Sequence, residues 1–162
     1  MNKDNNEIMA LINAFRMDGL GNDFVIIDRR KNSIDLTKEK IVELGSRSNI
    51  GFDQIIFIEK EKENFFPITI FNSDGGEISA CGNGSRCVAY LLGKNLNTKE
   101  IKLKTKNRLL NAKIVGNLKV ELEMGKPLFS FEDIPLSKTM NPANITLEIN
   151  NKKFTGGFCV NV

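Results

Sequence analysis

The stretch CGNGSRCVAYLLG, residues 81–93, restricts the fold of this chain more than any other segment. Two glycines bracket an asparagine, and Val88, Leu91 and Leu92 follow at the spacing that places side chains on one face of a helix. Glycine relaxes the backbone of the turn and lets a second backbone come close. The segment therefore predicts a helix from Gly82 to about Leu92 that starts at Cys81 and buries one face.

Most of the remaining chain has the pattern of β-strands. The alternation is clearest in EIKLKTK, where Ile101 and Leu103 alternate with lysines. A short helix is predicted to follow Thr37, whose side chain is suited to an N-cap. Further strands are predicted in the segments FRM, FVIID, QIIFIE, FFPITIFN, EISA, LLNAKIV, LKVELEM, NITLEI and KKFTGGFCVNV. This strand-rich pattern with one well-buried helix is compatible with an α+β fold.

A proline-containing stretch, GKPLFSFEDIPLSKTMNP at residues 125–142, interrupts the strand pattern. We interpret residues 1–125 as one domain, and residues 126–162 as a linker and the opening strands of a second domain. Two strands cannot form an independent core. The second domain is therefore expected to be truncated in this sequence.

Composition narrows the classes of partner. The 162 residues include 23 basic and 20 acidic side chains, so the net charge of +3 is slight. Nucleic-acid binders usually combine a basic face with stacking aromatics, whereas this chain has one Tyr and no Trp. Its apolar runs are too short to span a bilayer. We expect a cytoplasmic protein with a small-molecule substrate and no nucleic-acid or membrane partner, and the sequence leaves a homodimer open.

The predicted helix start gives Cys81 a distinctive environment. Helix N-termini carry unpaired N–H groups and partial positive charge, which favour a thiolate and can hold a carboxylate. The chain has no histidine, so Cys–His and Ser–His–Asp sets are excluded within it, and the cysteine spacing does not fit a zinc site. Cys87, on the apolar stripe, and Cys159, in the last strand, are expected to be structural. Packing of Cys81 as a small apolar side chain is the competing interpretation.

Four motifs occur in order along the chain: FRMDGLGNDFVIID, GFDQ, FNSDGGE and CGNGSRC. Together they resemble the amino-terminal half of the diaminopimelate epimerase family, most closely from Ala14 to Gly125. The resemblance implies an antiparallel, barrel-like sheet wrapped around a central helix, as the first of two pseudo-repeated domains. It also implies an isomerase without cofactor or metal, which interconverts LL- and meso-diaminopimelate in lysine and peptidoglycan precursor synthesis.

The same resemblance suggests roles for particular residues. It makes Cys81 one of two catalytic cysteines that move a proton on opposite faces of the substrate α-carbon. It makes five further positions substrate-binding residues: Asn22, Gln54, Asn72, Gly82 and Asn83.

The sequence departs from the family at Asp18, where His is usual, and at the bulky Phe52. The 162 residues contain no second cysteine with its own glycine turn, so this chain alone is expected to be inactive. Two alternatives stay open. One is a related racemase acting on proline or hydroxyproline, against which Asn83 argues because those relatives tend to carry His there. The other is a non-catalytic remnant that only binds a ligand or partner.

Overall fold

The computed structural model describes residues 14–31, 34–134 and 136–161, and the chain divides into two compact units, Met1–Glu123 and Met124–Val162. Secondary structure in the first unit closely follows the predicted segments. Its helices are α1 (Lys38–Gly45) and α2 (Gly82–Leu96). Its strands are β1 (Ala14–Gly19), β2 (Asn22–Asp28), β3 (Gln54–Ile58), β4 (Phe66–Asn72), β5 (Glu77–Ile78), β6 (Glu100–Lys104), β7 (Leu109–Gly116) and β8 (Lys119–Glu123).

The strands of the first unit form one sheet in the order β1-β2-β3-β4-β6-β7-β8, with β5 paired to β4. The pairs β2–β3 and β4–β6 are parallel, and the other pairs are antiparallel. A helix lies between the two strands of each parallel pair in sequence, because a parallel connection has to cross over the sheet. The α+β fold class is as predicted. The expected sheet was antiparallel, whereas the observed sheet is mixed because it contains these two parallel pairs.

Helix α2 lies at the centre of the first unit and contacts β1, β2, β3, β6, β7 and β8, so the sheet curls around it. The helix buries Val88, Ala89 and Leu92 completely. The helix ends at Leu96, beyond the predicted end at Leu92. Within this extension Gly93 lets β7 pack closely on the helix, because a Cβ there would lie 2.0 Å from Ile114 Cδ1. Asn97 then ends the helix in the left-handed conformation, at φ 53°.

Strands β2 and β3 are buried on both faces, which explains why their sequences are continuous apolar runs rather than alternating ones. Phe24 and Ile56 face the cluster that contains α2, whereas Val25 and Ile55 face a second cluster. Ile41 of α1 belongs to that second cluster, and Thr37 caps α1 as predicted, with its Oγ1 accepting the Lys40 N–H at 3.3 Å. Neither this helix nor any other in the described residues is long and apolar enough to cross a membrane.

The second unit contains the predicted strand pair, β9 (Ile145–Ile149) and β10 (Lys152–Gly157), which is antiparallel. Asn150 and Asn151 join the strands with φ angles of 51° and 61°, the left-handed values that a two-residue type I′ turn requires. A single 3₁₀ turn, Phe131–Asp133, lies in the stretch interpreted as a linker. The assignment of this unit to a second domain stays a prediction.

The placement of Cys159 in the last strand was wrong. Strand β10 ends at Gly157, and Cys159 follows it as a half-buried residue whose N–H donates to Pro142 O at 2.9 Å. Gly156 has φ 86°, and the register shifts between Phe154 and Gly157. Pairing resumes after this irregularity at Gly157, which opposes Ile145, the first residue of β9, so the ladder has no partner left when the chain reaches Cys159.

Candidate active site at the start of helix α2

Cys81 is the N-cap residue of α2, as the glycine turn predicted. Its backbone is extended, with φ −150° and ψ 107°, and its Sγ accepts the N–H of Gly84 at 3.4 Å. The carbonyl of Cys81 accepts the first helical hydrogen bond, from Ser85 N at 2.9 Å. The thiol is half-buried and lies where the N–H groups and partial positive charge of the helix end stabilise an anion.

Gly84 allows this helix end to lie directly on the sheet. A Cβ at Gly84 would be 2.6 Å from Ile56 Cδ1, closer than such carbons approach one another, and in a tight contact of 3.2 Å with Phe24 Cε1. The glycine is needed for this close contact and not for a left-handed turn. It therefore places Cys81 over the ends of β2 and β3.

The β1–β2 hairpin brings Asn22 to the same place. Leu20 and Gly21 form its two-residue turn with φ 55° and 88°, and Asn22 is the first residue of β2. Its Oδ1 accepts a hydrogen bond from Asn83 Nδ2 at 2.9 Å, although the two residues are 61 positions apart. Two of the predicted substrate-binding residues are thus in direct contact.

Gln54 and Asn72 form a second pair at the same end of the sheet. Gln54 begins β3 and opposes Asn72, the last residue of β4, and Gln54 Nε2 donates to Asn72 Oδ1 at 3.1 Å. Within the described residues, Gln54 Oε1 is buried and accepts no hydrogen bond. Gln54 also opposes Phe24 of β2, whose ring lies close to Gly84 of α2, so this pair is one strand position away from the contact between helix and sheet.

Sequence reasoning assigned no role to Asp53, which is central to this site. Its Oδ2 accepts hydrogen bonds from Asn22 Nδ2 at 3.1 Å and from Asp23 N at 3.0 Å, and its Oδ1 accepts from Arg47 Nη2 at 2.6 Å. Arg47 also pairs with the Asp23 carboxylate. These bonds, above all the Asp23 N–H, lower the pKa of Asp53. The aspartate of the GFDQ motif was the available signal, but its partners are remote in sequence.

Cys87 lies in a more enclosed environment than the half-buried Cys81. It is 6% exposed, and burial raises the pKa of its thiol from 9.0 to about 11. Its Sγ–H donates to the backbone carbonyl oxygen of Asp18 at 3.8 Å. Asp18 is the position where the family usually has His, and its side chain is exposed. The second departure, Phe52, is 2% exposed and packs in the second cluster. Packing explains the departure at Phe52, whereas nothing in the structure explains the exposed side chain of Asp18.

The described residues of the first unit line several grooves, of which two bear on the site. One, of about 370 Å³, runs beside α2 and is lined in part by Leu20, Asn83, Arg86 and Leu118. The other, of about 680 Å³, is lined mainly by β6, β7 and β8. Cys81 lines neither of them, so hydrogen-bond geometry locates this site better than groove size. No group of three or more His, Cys, Asp or Glu side chains in the described residues is arranged to hold a metal ion.

Comparison with known proteins adds a sequence relationship. The model of the diaminopimelate epimerase family matches residues 14–130. A diaminopimelate epimerase from Pelagibacter ubique (strain HTCC1062) is 49% identical over 154 residues, 93% of this chain and 56% of that protein. One from Acidiphilium cryptum (strain JF-5) is 38% identical over 143 residues, 87% of this chain and 52% of that protein. This chain spans about half the length of these relatives.

Solved structures are similar at the level of the fold. A phenazine biosynthesis PhzC/PhzF-type protein from Clostridium difficile (strain 630) aligns with a TM-score of 0.52 at 20% identity, covering 66% of this chain and 42% of that one. A predicted epimerase from Pseudomonas aeruginosa aligns with a TM-score of 0.50 at 17% identity, covering 65% and 40%. The curled sheet around a central helix is therefore a fold shared with these proteins.

Proposed function

Because this chain belongs to the diaminopimelate epimerase family, we propose that it supplies one half of a cofactor-independent site that interconverts LL- and meso-diaminopimelate. The observation that carries the proposal is the position of Cys81 as the N-cap of α2, with the Gly84 N–H directed at its sulfur. The N–H contact to the sulfur at a helix start supports a role for Cys81 in proton transfer, in a chain that has no histidine.

The chemistry proposed for Cys81 is a proton transfer. The thiolate takes the proton from the substrate α-carbon, so an S–H bond forms and the C–H electron pair moves into the adjacent carboxylate. Negative charge then builds up on the carboxylate oxygens. Gly82 and Asn83 lie in the first turn of α2, where backbone N–H groups have no helical carbonyl partner and can donate to such an anion.

The amide residues are proposed to bind the polar groups of the substrate. Gln54 Oε1 is a buried acceptor that no described residue pairs, and a buried unpaired acceptor costs about 1–3 kcal/mol. A substrate ammonium group bound there would remove that cost. Asn22 and Asn72 accept their present hydrogen bonds through side-chain oxygens that each have a second lone pair, and we assign them to the same recognition.

Inversion also requires an acid on the opposite face of the carbon, because a single group returns the proton to the side from which it came. We propose that a second cysteine outside these 162 residues provides it, and we expect the isolated chain to show no interconversion of the two isomers. Conversion of LL-diaminopimelate to the meso isomer by the isolated chain, abolished by Cys81→Ala, would show that a second acid is already present.

Ligand protection tests the binding part of the proposal with the intact chain. Diaminopimelate is expected to slow the alkylation of Cys81 under reducing conditions, with lysine, which lacks the second carboxylate, protecting less. Cys159 is the internal control, since no contact with substrate is assigned to it and it should label at the same rate with or without ligand. Equal rates at Cys81 with and without millimolar diaminopimelate would contradict the proposal.

A chimera tests the catalytic part. This chain would replace the matching 56% of the Pelagibacter ubique relative, and epimerisation would be followed by deuterium uptake from D₂O. Cys81→Ser in the chimera is expected to lower kcat by about 10²–10⁴, the usual contribution of a positioned acid–base group. An active chimera that tolerates Cys81→Ser would assign the proton transfer to another residue.

A location follows from the proposed chemistry. All three cysteines are free in the structure, and a thiolate catalyst needs a reducing compartment. We therefore propose a cytoplasmic reaction, in the supply of lysine and peptidoglycan precursors.

A further inference from the structure

Four side chains, two from α2 and two from the sheet side, form a continuous line of hydrogen bonds beside Cys81. Arg86 Nη2 donates to Asn83 Oδ1. Asn83 Nδ2 donates to Asn22 Oδ1 at 2.9 Å, and Asn22 Nδ2 donates to Asp53 Oδ2 at 3.1 Å. The line, called the amide relay below, joins α2 to the start of β2 and to the residue before β3.

The two ends of the amide relay have fixed hydrogen-bonding roles. A guanidinium group only donates and a carboxylate only accepts, whereas the two amides between them can each present either an oxygen or an NH₂ group. With Arg86 at one end and Asp53 at the other, only one orientation of both amides pairs every group. Turning either amide would set two donors or two acceptors against each other.

We infer that Asp53 and Arg86 are positioning residues that lock the orientation of the Asn22 and Asn83 amides at the start of α2. The inference deepens the proposed function and rests on it for its meaning in substrate binding, because Asn22 and the Asn83 turn are the groups assigned there to the substrate. Asp53 acts through Asn22 and touches no reacting atom.

Arg47 is not part of the amide relay, because it donates to the other carboxylate oxygen of Asp53, Oδ1. Asp53 Oδ1 accepts from Arg47 Nη2, while Oδ2 serves Asn22 and the Asp23 N–H. Each oxygen therefore faces only donors. This separation makes it possible to test orientation and charge independently.

Asp53→Asn is the diagnostic substitution. The new side chain has one oxygen and one NH₂ group, so it must direct its NH₂ either at Arg47 or at Asn22 and the Asp23 N–H, and both choices oppose donors. Arg47→Gln is the matched control, which removes the guanidinium and leaves the Asp53 carboxylate for Asn22. In the double variant, the NH₂ group of the introduced asparagine can face the introduced glutamine or solvent, while its oxygen accepts from Asn22.

The readout is the side-chain amide signals of Asn22 and Asn83 in ¹⁵N-labelled intact chain, identified by their loss in Asn22→Ala and Asn83→Ala. Hydrogen exchange of the relay amide protons is expected to speed up about five- to tenfold in Asp53→Asn, the effect of losing one hydrogen bond. Arg47→Gln should leave the rate within about twofold of the unmodified chain, and the double variant should return to that range. The result that overturns the inference is faster exchange in Arg47→Gln, or no recovery in the double variant.

The other end of the relay provides a test that does not depend on Asp53→Asn folding. Arg86→Gln retains a donor for Asn83 Oδ1, whereas Arg86→Glu opposes it with an acceptor. Only Arg86→Glu is expected to shift the Asn83 amide signals, and equal shifts in both variants would contradict the lock.

Substrate binding is measured in the same variants. The diaminopimelate concentration that half-protects Cys81 should rise in Asp53→Asn and recover in the double variant. If the unmodified chain shows no protection at all, the proposed function fails, while the amide signals still decide the inference on positioning.

Discussion

The start of helix α2 and its buried stripe place the same residue type in opposite situations within two turns. Cys81 caps the helix, is half-buried and accepts an N–H hydrogen bond through its sulfur. Cys87 lies inside the helix, is 6% exposed and donates to a carbonyl oxygen. Burial in the second environment favours the neutral thiol, so the pKa of Cys87 is raised. Position relative to the helix end, and not residue type, separates the cysteine that we propose to be reactive from a core residue.

The largest expected difference between the two cysteines is in alkylation rate. At pH 8 a thiol with a pKa near 11 is ionised to only about one part in a thousand, and burial slows access further. Cys81 should therefore label at least about a hundredfold faster than Cys87 in time-resolved mass spectrometry of the folded chain. The comparison fails if Cys87 labels first, and unfolding in denaturant should make the two rates nearly equal.

Cys→Ser substitutions at the two positions are expected to change the free energy of unfolding by different amounts. Cys87→Ser buries a hydroxyl in an apolar cluster and should lower the free energy of unfolding by about 1–3 kcal/mol. Cys81→Ser puts a favoured capping residue at an N-cap and should change it by less than about 0.5 kcal/mol. Denaturant unfolding monitored by circular dichroism measures both. Equal losses would mean that Cys81 is also a packing residue.

Gly84→Ala tests how tightly the start of α2 packs on the sheet. Alanine normally favours a helix over glycine by about 1 kcal/mol, but here its Cβ would be forced against Ile56 Cδ1. We expect a net loss of about 1–2 kcal/mol in unfolding free energy. Ile56→Val removes the Cδ1 atom and, in the Gly84→Ala background, should recover part of that loss. A stabilising effect of Gly84→Ala alone would show that the helix start is not tightly packed on β3.

The smallest expected effect is the pH dependence that Cys87 contributes. Its pKa is raised on folding, so its contribution to stability is complete below pH 9.0 and is lost as the pH rises towards about 11. Between pH 8 and 10 the unmodified chain should lose about 1 kcal/mol more than Cys87→Ala does. Parallel pH profiles for the two proteins would contradict the burial of this thiol.

Local sequence was sufficient to predict most helices and strands and the position of Cys81 at the start of α2. The apolar spacing of residues 88–92 predicted α2, the glycine turn predicted its start, and the strand segments were identified because alternation and turn residues act over a few positions. Where the sequence repeated an alternating pattern without a continuous ladder, as at Cys159, the same reasoning failed. The ladder ends where the partner strand β9 begins, at Ile145, and the alternation of one strand does not show where its partner begins.

The sequence by itself determined which residue lies at the helix start, because capping and helix spacing involve neighbours along the chain. Only the tertiary structure decided what surrounds it. The parallel pairing of β2 with β3 brings Asp53 to Asn22 across 31 positions, and the packing of α2 on those strands brings Asn83 to Asn22 across 61. A carboxylate, two amides and a guanidinium carry no periodic signal, and their partners exist only once the sheet has closed around the helix.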